Sequence, residues 1–113
     1  MRWVLRSKIH KATVTEANLN YIGSITIDKE LVDKAGLWNH EKVLVTSIST
    51  GNRLETYVLE GERGSGIIRL NGPSAHLIKK GEQIIVMGFE LTDKPVDAKV
   101  VLVGSKNEFA KYL

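Results

Sequence analysis

The feature that most limits the fold is punctuation. Short runs rich in Val, Ile and Thr alternate with Gly, Asn and charged residues along the whole chain. β-Branched side chains fit a pleated surface, so such runs favour strands. In HKATVTEA, Ala12 and Val14 fall on one face and Thr13 and Thr15 on the other, the period of a half-buried strand. GSITID repeats it, with Ile25 and Ile27 alternating against Ser24 and Thr26. Asp28 then suits the N-cap of a short helix, KELVDKAG, whose Leu31, Val32 and Ala35 share a face and whose Gly36 suits its end. EKVLVTSIS and RLETYVLEGE read as strands joined at Thr50-Gly51-Asn52. GERGSG turns into the strand IIRL, and Pro73 can open a short helix in PSAHLI. KKGE leads into the strand QIIVMGFEL, and AKVVLV is the last clear strand. The tail GSKNEFAKYL fits either a short helix or a frayed end. About six or seven short strands with two short helices predict a mainly β, small closed barrel rather than a parallel α/β sheet. Residues 1–113 are expected to form a single domain.

Composition removes several kinds of chemistry. The chain has no cysteine, so disulfides, thiol catalysis and cysteine metal sites are excluded. His10, His40 and His76 are scattered without metal-ligand spacing, and no metal site is expected. The net charge of +3 comes from Lys and Arg spread among Asp and Glu, not from the one-sided clustering of a nucleic-acid footprint. The opening MRWVLRSKIH has no leader-like apolar region, and no apolar run approaches a membrane span. A cytoplasmic protein without nucleic-acid or membrane partners is expected.

The dipeptide Gly-Ser occurs at 23–24, 64–65 and 104–105. The last two lie among charged or turn residues, where flexibility explains the glycine. Gly23-Ser24 is set among Tyr21, Ile22 and Ile25, in a segment that otherwise reads as strand. Glycine there marks a β-bulge, a bend or a close approach. A chemical alternative exists. A serine hydroxyl can attack the carbonyl of the residue before it, giving an ester. Elimination then leaves dehydroalanine, which hydrolyses to a pyruvoyl group. An unhindered glycine carbonyl favours that route, and local pattern alone leaves both readings open.

Longer segments add to this. KIHKATVTEANLNYIGSITID, TGNRLETYVLEGERGSGIIRLNGPSAH and GEQIIVMGFEL, in that order, carry K-x-H, Y-x-G-S, G-x-R, T-Y and E-R-G-S-x-x-I-x-x-N-G-x-x-A-H. With these motifs, the chain from about Met1 to Val103 resembles the pyruvoyl-dependent aspartate 1-decarboxylases. The resemblance implies a double-psi β-barrel, assembled as a homotetramer with sites between subunits. It implies carboxy-lyase chemistry too: decarboxylation of L-aspartate to β-alanine for pantothenate synthesis. The electrophile would be a pyruvoyl group made from Ser24, forming a Schiff base with the substrate, with no metal and no pyridoxal phosphate.

Residue roles follow from the same resemblance. Autocatalytic cleavage between Gly23, the scissile carbonyl, and Ser24 would give a β chain of residues 1–23 and an α chain of residues 24–113. Thr56 would hold the oxyanion during processing, and Tyr57 would donate the proton to the decarboxylated carbanion. Arg53 and Lys8 would bind the substrate carboxylates, an arginine fork being suited to a carboxylate. Asn71, Gly72 and Ala75 would line the pocket, with His10 and Tyr21 in support. A protein maturation factor is a candidate partner. Thr56 and Tyr57 are adjacent and so face opposite sides of a regular strand, which calls for a bend or a subunit boundary. Pro73-Ser74 and Thr46 depart from common family residues. The competing expectation is a processing-defective relative, or a non-enzymatic β-barrel binding or assembly module.

Overall fold

A computed structural model describes residues 1–113. Nine strands and two short helices succeed one another: β1 (Arg2–Thr13), β2 (Glu16–Asn18), β3 (Ser24–Asp28), α1 (Lys29–Ala35), β4 (Lys42–Ser47), β5 (Arg53–Gly61), β6 (Ile68–Asn71), α2 (Ser74–Leu77), β7 (Gln83–Thr92), β8 (Lys99–Val103) and β9 (Phe109–Tyr112). The expected mainly β architecture with short helices is what forms. Hydrogen bonding joins the strands in the order β2-β6-β3-β5-β4-β7-β1-β8-β9. The pairs β1–β8, β2–β6 and β3–β5 are parallel and the rest antiparallel.

This mixed sheet curls round one cluster of 19 buried apolar residues, to which β1, β3, β4, β5, β6, β7, β8 and α1 all contribute. Two side chains tie its halves together where no ladder runs. Thr15, just past β1, donates its N–H and its hydroxyl to the Ile68 carbonyl, at 2.8 and 3.0 Å, and its Oγ1 accepts from the Ile68 N–H at 3.0 Å. Asn107, in the β8–β9 turn, is 2% exposed. Its Nδ2 donates to the carbonyls of Thr13 and Gly66, both at 2.8 Å, and its Oδ1 accepts from the Thr13 N–H at 2.8 Å.

Helix α1 forms as its sequence predicts. Leu31, Val32 and Ala35 are buried, and Gly36 ends the helix at φ 71°, in the left-handed region that glycine tolerates. Asp28 does more than cap. Its carboxylate accepts from the N–H groups of Glu30 (2.9 Å), Gly64 (3.0 Å) and Gly66 (2.8 Å), so it also shapes the ERGSG loop.

Three expectations change. Residues 10–17 do not form one strand: β1 begins at Arg2 and ends at Thr13. Irregularities at Leu5/Ser7 and His10/Ala12 interrupt its register, and Lys11 takes φ 69°. The period-two signal is broken wherever an extra residue enters. The tail is neither helix nor frayed, because β9 pairs antiparallel with β8. Finally, β3 is buried on both faces, Ser24 and Thr26 included, with the side chains of Asn71 and Arg69 lying against those two.

Asp28→Ala removes a helix cap and two loop anchors together. A loss of about 2–4 kcal/mol is expected, read as a lower urea midpoint with an unchanged slope.

Candidate active site

Ser24 opens β3 and is fully buried, whereas Ser65 and Ser105 are exposed. Burial thus separates the three Gly-Ser pairs. The antiparallel ladder sets Ser24 opposite Asn71. Asn71 Nδ2 donates to Ser24 Oγ at 2.7 Å and to Thr26 Oγ1 at 3.0 Å. The Ser24 hydroxyl in turn donates to the Ile22 carbonyl at 3.3 Å. Every polar atom turned inward from this end of β3 is therefore satisfied within the chain, as burial demands.

The two glycines here do different things. Gly72 has φ 67°, and a Cβ on it would stand 2.9 Å from Gly23 Cα, Gly23 N and the Tyr21 carbonyl oxygen. Its N–H donates to the Asn18 carbonyl at 2.7 Å. The turn after β6 thus packs backbone against backbone on the loop before β3, and only glycine fits. Gly23 differs. It precedes β3 and is no bulge within a strand. It is not among the positive-φ glycines, and a Cβ on it would meet Pro73 Cδ at an ordinary 3.6 Å. Folding alone does not require glycine at 23.

The other expected residues divide into near and far. Ser24 and Tyr57 each stand one residue before Ile25 and Val58, the first pair of the parallel β3–β5 ladder. Thr56 and Tyr57 are thus carried on the strand beside the Gly23-Ser24 bond. Both are half-buried, and the Tyr57 ring meets His40 edge-on at 6.1 Å between centroids. The β4–β5 register runs through them without a shift, so no bend turns both to one face. Ala75 is buried and its N–H donates to the Gly72 carbonyl at 3.0 Å. Arg53 is exposed at the start of β5, opposite Thr46, about 13 Å of strand from Tyr57. Lys8 and His10 lie on β1 between β7 and β8, with β5, β4 and β7 between them and β3. In the strand order, Lys8 and His10 are thus three strands removed from Ser24, and Arg53 lies further along β5. A separate hollow of about 430 Å³ is lined by Trp3, Val43, Leu44 and Phe89 together with Glu41, Lys42 and Glu55; it contains none of the expected site residues. No cluster of His, Asp or Glu could hold a metal ion.

The comparisons with known proteins agree with the motif pattern. Residues 1–110 match the family model described as aspartate decarboxylase. The chain belongs to the aspartate decarboxylase family. A protein of Caldicellulosiruptor saccharolyticus named aspartate 1-decarboxylase is 53% identical over 112 residues, covering 96% of this chain and 88% of that one. A Clostridium botulinum protein of the same name is 52% identical with the same coverage. One from Acetivibrio thermocellus is 50% identical over 109 residues, covering 93% of this chain and 86% of the relative.

Sequence reasoning missed two residues, Thr26 and Arg69, that join the cluster round Ser24. Arg69 Nε donates to Asn71 Oδ1 at 2.9 Å, a contact that no motif signals. An arginine in IIRL reads as a surface charge.

Two measurements check this geometry. Gly72→Ala should cost about 1–3 kcal/mol, since it adds left-handed strain to a backbone clash. Gly23→Ala should shift the urea midpoint by less than about 1 kcal/mol.

His10 offers a third. Its Nδ1 is buried without a hydrogen-bond partner. Burial chiefly, then the charges of Lys8 and Lys11, holds its pKa below the ordinary 6.5. The unfolded chain therefore binds this proton more readily. The contribution of His10 to stability is complete above about pH 6.5 and is lost as pH falls through the folded value. A histidine NMR titration should place His10 below the ordinary 6.5.

Proposed function

We propose that the chain decarboxylates L-aspartate to β-alanine and CO₂, through a pyruvoyl group that it makes from its own Ser24. Membership of the aspartate decarboxylase family supports the reaction. The observation that carries the finer reading is the pairing of a fully buried Ser24, held by Asn71, with a Gly23 that the fold itself does not need. A glycine retained without a conformational reason, next to an anchored hydroxyl, fits a carbonyl kept open for attack.

In the processing step, Ser24 Oγ bonds to the Gly23 carbonyl carbon and the C–N bond breaks. The hydroxyl proton passes to the freed amine, leaving an ester. Loss of the Ser24 α-proton then cleaves the Cβ–O bond, giving a Gly23 carboxylate and dehydroalanine. Water enters and ammonia leaves as the pyruvoyl ketone forms. Thr56, on the strand beside Gly23, is the candidate donor to the oxyanion.

Ser24 is sealed in the uncut chain, so the intact protein is a zymogen. Cutting at 23–24 releases the end of the exposed Leu19–Ile22 loop and opens a way to residue 24. The pyruvoyl group supplies the electron sink for loss of CO₂. Tyr57 stands alongside it, its phenolic hydroxyl the candidate donor of a proton to the resulting carbanion. Arg53 and Lys8 hold the two substrate carboxylates. Their separation from Ser24 within one chain is reconciled by sites built between neighbouring subunits of a homotetramer. The product serves pantothenate synthesis in the cytoplasm.

Intact-mass spectrometry of freshly made protein tests this. Two fragments divided between Gly23 and Ser24 are expected, the larger lacking the serine amine, and Ser24→Ala should stay whole and inactive. β-Alanine made by Ser24→Ala would end the proposal. Arg53→Ala should be cut normally yet lose about 10²-fold or more in aspartate turnover, consistent with a lost charged partner.

A further inference from the structure

Arg69 has no role so far, yet it reaches both sides of the Ser24 site. Its Nε donates to Asn71 Oδ1 at 2.9 Å, and its Nη2 donates to Thr26 Oγ1 at 3.4 Å. Nη1 lies 3.8 Å from the Glu16 carboxylate, and the side chain is 21% exposed. The guanidinium carbon stands 4.6 Å from the centre of the Tyr21 ring, two residues before the Gly23-Ser24 bond. One side chain therefore grips the loop that holds the bond and the amide that holds the serine.

A guanidinium has donors only, so the carboxamide atom facing it must be oxygen. That leaves the NH₂ of Asn71 to face Ser24 Oγ and Thr26 Oγ1. Turned over, the amide would oppose its donors to those of Arg69, and its oxygen would take the Ser24 hydroxyl proton. The difference matters for reactivity. With NH₂ towards it, Ser24 Oγ accepts, and its own proton points to the Ile22 carbonyl at 3.3 Å. A donor on Oγ stabilises the negative charge that grows as the proton leaves. An acceptor in that place would keep the proton on Ser24.

From this geometry we infer that Arg69 is a positioning residue for cutting the Gly23–Ser24 bond. It acts through Asn71, by fixing which end of the carboxamide meets Ser24. The inference rests on the self-cleavage reading above. The step it serves is the bond from Oγ to the Gly23 carbonyl carbon, with loss of the C–N bond and transfer of the hydroxyl proton to the amine.

The test follows fragment appearance in fresh precursor by intact mass, with circular dichroism and the thermal midpoint as folding controls. Arg69→Met should cut about ten- to a hundredfold more slowly, as when a supporting partner of a reacting group is lost. Asn71→Ala should also be slow. The double variant should be no slower than Asn71→Ala alone, within about twofold, because members of one unit do not add. If Arg69→Met fails to fold, Arg69→Lys decides: it keeps the charge without the planar fork, and slowed cutting is expected. Three results overturn the inference while the self-cleavage reading stands: a folded Arg69→Met cutting at the wild-type rate, an Arg69→Lys that does so, or effects that multiply with Asn71→Ala. A wild-type chain that remains whole overturns both.

Discussion

The side chain of Asn71 joins polar groups of two neighbouring strands: Ser24 and Thr26 of β3 through its NH₂, and Arg69 of β6 through its oxygen. All of this sits inside the wall between β3 and β6, where water cannot substitute for a missing partner. The other features of the site follow from it. The left-handed Gly72 lets the chain turn immediately after Asn71 without striking the loop before Ser24. Because Asn71 ends β6 directly opposite Ser24, the register of the sheet and the aim of the hydroxyl are the same constraint. A slip of one residue would turn Asn71 to the other face.

Elements whose signals are local could be read in advance. Asp28, the apolar face of α1 and Gly36 lie within a few residues of one another, and so do the two strands that meet at Gly51. Elements shaped by distant partners could not. β1 carries a buried Ser7, a left-handed Lys11 and two irregularities, all set by its neighbours β7 and β8. β9 is an edge strand with exposed residues at three of its four positions, so it shows little alternation. The same division runs through the site. Gly23-Ser24 and Asn71-Gly72 were legible as motif residues, but Thr26 and Arg69 matter only because β3 and β6 lie side by side. Asp28 shows how a local signal can also understate a residue. Its capping role is visible in sequence, while its grip on Gly64 and Gly66 comes from a loop 36 and 38 positions away.

The conflict between Thr56 and Tyr57 survives the structure in a sharper form. An unbroken register sends their side chains to opposite faces of β5. Arg53 lies further along the same strand, and Lys8 and His10 lie across the sheet. On the proposed reading, a single copy supplies the processing half of the chemistry through Ser24, Gly23, Asn71 and Arg69. Of the proposed carboxylate partners, Arg53 is exposed and Lys8 is half-buried. On that reading bond cutting and substrate turnover draw on different residues, and a substitution can damage one while sparing the other.

The placement of β1 has a consequence for the life of the protein. A break between Gly23 and Ser24 leaves β1 and β2 on one fragment, yet β1 lies in the interior of the sheet, between β7 and β8. The short fragment would stay embedded, held by ladders on both edges and by Ile9 and Ala12 in the core. What was an intramolecular strand becomes a bound peptide. Heat or denaturant would then separate two molecules, and refolding would depend on their concentrations as well as on intrinsic stability. On the proposed reading, neither fragment retains the serine that makes the cut. Once the pieces part, the protein has no chemical route back to its starting chain, so its durability becomes a matter of how slowly the fragments come apart.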